Sequence, residues 1–164
     1  TCAETARSLH YEDLRTLEVR IEALTRQIER QVRVNPEARR LLDIPGIGPL
    51  TASAMIATIG DARQFRNGRQ MAAFLGLVPR QHSSGGKHTL LGIHKRGDSY
   101  LRGLLVHGAR SVLRTATDKP DDRSRWLMNL ANLRHPNIAT VAQANKTVRI
   151  AWAILTREQR YRAA

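Results

Sequence analysis

Cysteine is nearly missing from this chain: Cys2 stands alone. An intrachain disulfide and a cysteine-based zinc site are therefore excluded, which fits a reducing, cytoplasmic location. Aromatic residues make up only 4% against 41% hydrophobic residues in all. The core must be built from Leu, Ile, Val and Ala, a composition suited to packed helices. No apolar run approaches the roughly 20 residues that cross a bilayer, and no charged-then-apolar segment of the signal type opens the chain. The first residue is Thr1 rather than methionine, so the chain is expected to be a piece of something longer. Its 164 residues are enough for one ordinary domain and an added element.

Acidic residues are scarce beyond residue 43. The whole chain carries 27 Lys+Arg against 14 Asp+Glu, a net charge of +13, yet residues 1–43 are neutral, with eight acids and eight arginines. The excess lies in 44–164, with 19 bases and six acids, and from Ala62 to Thr117 Asp98 is the single acid among ten bases. So one-sided a field favours a polyanionic partner. Arginine far outnumbers lysine, which favours forked phosphate contacts over a merely soluble basic surface.

Periodicity predicts a mainly α protein. Leu14, Leu17, Ile21, Leu24 and Ile28 alternate steps of three and four within a helix over 8–34, a heptad seam with charged flanks. Packed on its own domain, this is an ordinary amphipathic helix. As a coiled-coil-like arm over 1–40 it pairs with another copy or leads to an upstream domain, and the solvated flanks favour the arm. Asn35-Pro36 ends it and starts a short helix. Further helices are expected over about 50–59, 68–75, 98–115 with Asp98 as N-cap, 124–134 and 137–155. Residues 77–97 read as a Gly/Ser-rich basic loop, with a short strand pair as the alternative. Asp118, Asp121 and Asp122 fall in a turn.

Residues 41–59 carry the pattern of a helix-hairpin-helix. Gly46 and Gly48 allow a turn that side chains block, Ile44 and Ile47 anchor the helix pair, and the free N–H groups at the start of the second helix suit phosphate oxygens, with Thr51 adding a hydroxyl. Such contacts are blind to base sequence. A purely structural hairpin is the alternative, and the adjacent charge favours nucleic acid.

The second motif spans 79–98. Ser83, Ser84, Gly85 and Gly86 are bracketed by Arg80, Lys87, Lys95, Arg96 and Arg102. A serine attacking a phosphodiester needs such a setting, because cations offset charge in the transition state and glycines admit the backbone. Spacing alone supports only phosphate binding.

The ordered set of motifs adds a resemblance. The hairpin at 41–59 is followed by Phe74-Leu75-Gly76-Leu77-Val78-Pro79-Arg80, Ser83-Ser84-Gly85-Gly86-Lys87, Lys95-Arg96-Gly97-Asp98-Ser99-Tyr100-Leu101-Arg102, and Leu105-Val106-His107-Gly108-Ala109-Arg110. Val141-Ala142-Gln143-Ala144-Asn145-Lys146 and Arg149-Ile150-Ala151-Trp152 close the series. From about Leu41 to Leu155 the chain resembles the C-terminal transposase domain of the IS-one-ten family, in its IS-eleven-eleven branch, and the heptad helix is similar to that family's coiled-coil segment.

The resemblance implies a two-part DNA recombinase guided by a structured bridge RNA and assembled from several copies, dimer to tetramer. A RuvC-like domain with acidic DEDD residues binds Mg²⁺, and a serine before a glycine attacks DNA and becomes joined to it. That serine maps to Ser84, with Ser83 its rival by one residue of register. The acidic domain lies outside this chain, and residues 41–164 correspond to the serine part. No cofactor is expected in this part, which alone is expected to bind nucleic acid without cutting it.

Other residues carry weaker signals. His82, His88 and His94 match no common zinc spacing, although His82 stands beside the serines, where proton transfer or phosphate contact is open to it. His107, Trp126 and Trp152 read as packing residues. Lys146 and Arg149, one turn apart on the last helix, either meet nucleic acid or solvate a face. Two other classes remain: a non-catalytic helix-hairpin-helix adaptor with a dimerising arm, and a basic domain that meets an acidic protein.

Overall fold

The computed structural model describes residues 2–84 and 87–162, leaving aside the side chains of residues 2–6, 8, 82–84 and 87–90. Helices dominate, as the composition predicts. In chain order they are α1 (Cys2–Val34), α2 (Pro36–Leu42), α3 (Pro49–Ile59), α4 (Gly68–Phe74), α5 (Ser99–Arg114), α6 (Asp122–Leu133) and α7 (Pro136–Arg157), with a 3-10 turn at Ala62–Gln64. Between α4 and α5 lies one antiparallel pair, β1 (Pro79–Ser84) and β2 (Lys87–Ile93). The segment expected chiefly as loop is therefore a hairpin for most of its length.

Local chemistry sets the boundaries. Asn35 caps α2 by accepting from the Glu37 and Ala38 amides, and Pro36 sits in the first turn, where its missing N–H costs nothing. Asp98 caps α5 through the Tyr100 and Leu101 amides, as expected. Asp121 caps α6, and Asp122, expected in a turn, is its first residue. α7 starts at Pro136, with the His135 ring accepting from the Asn137 amide.

The body is organised around α7, which packs against α2, α4, α5, α6 and the 3-10 turn. Its buried stripe is rich in small residues, including Ala139, Ala144, Thr147 and Ala151. Small side chains let neighbours approach: a Cβ on Gly68 of α4 lies 2.9 Å from the Arg149 Cα. Two polar ties add register, as Asn145 Nδ2 donates to the Leu77 carbonyl and Trp152 Nε1 to the Phe65 carbonyl. The main core joins Leu41, Ile44, Met55, Met71, Leu105 and Val148, among others. A smaller cluster of Val112, Ala116, Leu127 and Ala139 seats α6.

α1 behaves differently along its length. Val32 is buried and Ile28 packs on the core. Toward the N-terminus the helix leaves the body, and Leu14, Leu17, Ile21 and Leu24 are each more than half exposed. The heptad seam faces solvent for most of its length.

Candidate nucleic-acid interface

A groove of about 1580 Å³ runs between the N-terminus of α4, the base of the β-hairpin, α6 and α7. Among the described residues six cations line it: Arg69 from α4, Arg80 from β1, Lys95 after β2, Arg134 after α6, and Lys146 and Arg149 from α7. Among the described residues no Asp or Glu lines it, and none of the six enters a salt bridge. Its floor is apolar, with Leu77, Ile93, Val141 and Ile150.

Like charges crowd at one end of this groove. Lys146 is held below the ordinary lysine value, first by burial and then by repulsion from Arg123 and Arg149. Its ammonium lies over the Trp126 ring, 4.2 Å from the centroid, where the ring quadrupole gives modest compensation.

The hairpin rises from the wall of this groove. Pro79 pairs with Ile93, and Gln81 with Leu90, so two steps on β1 face three on β2. This extra residue, a bulge, falls within Leu91–Gly92, opposite Arg80, and bulges bend and twist a strand pair. The register continues through Ser83 with His88 to Ser84 with Lys87. The backbones of Ser83, Ser84 and Lys87 thus sit at the hairpin's far end, while their side chains, and Gly85 and Gly86 altogether, lie outside the described residues.

Sequence-predicted site residues fall into separate places. The groove gathers Arg80, Lys95, Lys146 and Arg149. Arg96 is exposed but does not line it. Arg102 has structural work: its Nη1 donates to the Leu75 and Arg96 carbonyls, each at 3.2 Å. This clamp holds together a close crossing, since a Cβ on Gly97 would stand 2.1 Å from the Phe74 carbonyl oxygen. Those two bonds engage Nη1 alone, one of three nitrogens in a guanidinium with five N–H donors.

The turn between α2 and α3 is a distinct place. Gly46 takes φ +91°, and its α-carbon faces α5, where a Cβ would meet the Gly108 carbonyl oxygen at 2.9 Å. Thr51 is buried, so the hydroxyl contact expected there is turned away from solvent. Gly48 is exposed at the head of α3, which has no side-chain cap.

Two residues depart from their sequence reading, and two others were not marked by it. Trp126 is 37% exposed and lines the groove rather than the core, whereas Trp152 is half-buried and packs as expected. His107 is exposed on α5 instead of packed. Arg69 and Arg134 join the groove with no local signal to mark them, because the residues they meet are far away in sequence.

No cluster of three or more His, Cys, Asp or Glu occurs among the described residues. Asp98 takes the Tyr100 and Leu101 amides and the Thr58 hydroxyl, and Asp121 takes the Ser124 amide and hydroxyl. Among the described residues, no helix is long and apolar enough to cross a membrane.

Comparison with known proteins places this arrangement. Residues 38–126 match the family described as Transposase IS116/IS110/IS902. A probable family 20 transposase of Pseudomonas aeruginosa is 58% identical over 151 residues, which is 92% of this chain and 45% of that protein. The transposase for insertion sequence element IS1111A of Coxiella burnetii is 50% identical over 136 residues, covering 83% of this chain and 37% of its own length. A pilin gene-inverting protein of Moraxella lacunata is 36% identical over 80 residues, 46% of this chain and 23% of its own. This chain spans less than half the length of each.

Proposed function

This chain belongs to the IS116/IS110/IS902 family of transposases, and from that premise we propose that it is the serine-bearing, nucleic-acid-binding part of a DNA recombinase. The observation that carries this reading is the unpaired cationic groove at the base of the strand pair that bears Ser83 and Ser84. A lining of one sign, partly desolvated, attracts phosphate strongly, and the Asp121 carboxylate offsets the burial and repulsion felt by Lys146 only in part.

In this reading the Ser84 Oγ forms a bond to a backbone phosphorus. The bond from that phosphorus to one deoxyribose oxygen breaks, and the oxygen leaves with a proton as a hydroxyl. A hydroxyl of a second strand later reverses the step and frees the serine. Lys87 and Arg96 hold the scissile phosphate or the guide RNA beside the groove cations Arg80, Lys95, Lys146 and Arg149. Arg102 acts mainly by fixing the segment that bears Arg96. The α2–α3 turn, read as a helix-hairpin-helix, offers backbone N–H groups near Gly48 to a neighbouring strand. Mg²⁺ belongs to an acidic RuvC-like domain outside this chain, bridge RNA selects the sites, α1 pairs copies as a coiled coil, and the enzyme works in the cytoplasm.

The test supplies this chain with its acidic domain, Mg²⁺, guide RNA and cognate DNA, and looks for a protein–DNA adduct that survives denaturant. The adduct disappears in Ser84→Ala and persists in Ser83→Ala. An adduct undiminished in both variants removes the assignment and leaves a non-catalytic binding module, the second reading.

A further inference from the structure

Two properties of the groove point to different parts of a nucleotide. Its rim is cationic, and its floor is apolar, with Leu77, Val141 and Ile150 below and the exposed Leu91 and Ile138 at its edges. A duplex presents phosphates outward and keeps its base faces stacked inside, so it needs the rim and has no use for the floor. An unpaired strand has flat apolar base faces to bury as well as phosphates to neutralise.

Trp126 is the one aromatic residue placed to meet such a face at the cationic end. Its ring lines the groove, 37% exposed, and its visible partner is the Lys146 ammonium at 4.2 Å. The other tryptophan that lines the groove, Trp152, spends its N–H on the Phe65 carbonyl and packs on the core. Arg123, beside Lys146, is buried and reaches the Tyr161 hydroxyl at 3.4 Å, which keeps the α6 side of the site in place.

From this geometry we infer that Trp126 is a stacking platform for a base of an unpaired strand held in the groove, with Lys146 and Arg149 on the phosphates that flank it. The inference rests on the nucleic-acid reading above and adds the strand's unpaired state and the residue that senses it. When the base arrives, it takes the place of the Lys146 ammonium at the ring, and the ammonium pairs with the phosphate that comes with it. DNA and RNA share this chemistry, and the 2′-hydroxyl is the difference the test separates.

The experiment titrates the chain, followed both by tryptophan emission and by the fluorescence anisotropy of a dye carried on the nucleic acid, with a thymidine single strand of roughly a dozen nucleotides, the uridine equivalent, a thymidine strand with its central bases removed, and a duplex of equal length. The base-bearing strands quench emission and the abasic strand does not. Trp126→Leu abolishes the quenching and weakens single-strand binding about tenfold with duplex affinity unchanged, and Trp126→Phe recovers most of that loss. The stronger of the thymidine and uridine strands identifies the sugar, and either preference supports the platform. Quenching by the abasic strand equal to that by the intact one, or single-strand affinity unmoved in Trp126→Leu, overturns the platform while salt-dependent binding upholds the groove. Failure of every strand to bind at low salt overturns both.

Discussion

At the scale of single residues, contacts without side chains limit what this chain tolerates. Gly108 of α5 and Gly46 of the α2–α3 turn meet backbone to backbone, and a Cβ on Gly108 would stand 1.9 Å from the Gly46 carbonyl oxygen. Neither element can give way without moving the core behind it, so Gly108→Ala costs about 3 kcal/mol in chemical denaturation. Gly103, on the same helix, has nothing within 4 Å of its Cβ position, and Gly103→Ala stabilises by about 0.5–1 kcal/mol through helix propensity. Opposite signs in one helix test the backbone contact rather than glycine content.

Asp98 is the second residue whose replacement has a defined signature. The Leu101 amide, then the Thr58 hydroxyl and the Tyr100 amide with Arg102 nearby, hold its carboxyl below the ordinary 3.8 against the opposing pull of burial. A carboxylate lowered in the folded state contributes its stabilisation above the unfolded value, and loses it as pH falls through the folded value. Asp98→Ala therefore lowers the melting temperature by a few degrees at neutral pH. The gap from wild type narrows below pH 3.8. A gap that is constant with pH contradicts the capping account.

At the scale of elements, α1 is the outlier. Its 33 residues extend about 50 Å at 1.5 Å per residue, and only the C-terminal end rests on the body. Solvent-exposed Leu14, Leu17, Ile21 and Leu24 each stand to gain roughly 1.5–3 kcal/mol from full burial, whereas surface pairs such as Glu22 with Arg26 add only about 0.3–0.5 kcal/mol. Burial on a partner is the larger effect. Leu17→Lys together with Ile21→Lys is expected to weaken self-association at least a hundredfold in sedimentation velocity and to reduce helicity, with binding of nucleic acid by the body retained on a per-chain basis. Unchanged self-association removes the arm as the contact between copies.

At the scale of the whole molecule, charge is sorted by region. The neutral first 43 residues form α1 and α2, and the surplus of bases lies in the body that holds the groove. Binding to DNA or RNA is expected to fall linearly in log affinity against log salt. Arg149→Gln flattens that slope by about one, because Arg149 lies in the groove. Arg63→Gln leaves it unchanged, since that guanidinium is paired with Asp61 away from the groove. Equal effects of the two variants indicate a diffuse cationic surface rather than a groove.

The sequence by itself determined the helical class, most boundaries and the charge asymmetry. These rest on local rules: Asn35 and Asp98 state their caps, Pro36 its first turn, and the three–four spacing of Leu14 to Ile28 its stripe. It also carried enough ordered motif for the family to be legible from Leu41 onward. Four of the groove's cations, Arg80, Lys95, Lys146 and Arg149, were visible as bases near motifs, but not as neighbours of one another. Only the tertiary structure decided that Arg69 and Arg134 join them, that Trp126 faces the groove while Trp152 packs, that Thr51 turns inward, and that Arg102 clamps two carbonyls. Each of those outcomes depends on how elements distant in sequence pack, α7 against α4 and α6 for the groove and α3 and α5 against their neighbours for Thr51 and Arg102, and no local pattern encodes such a distance.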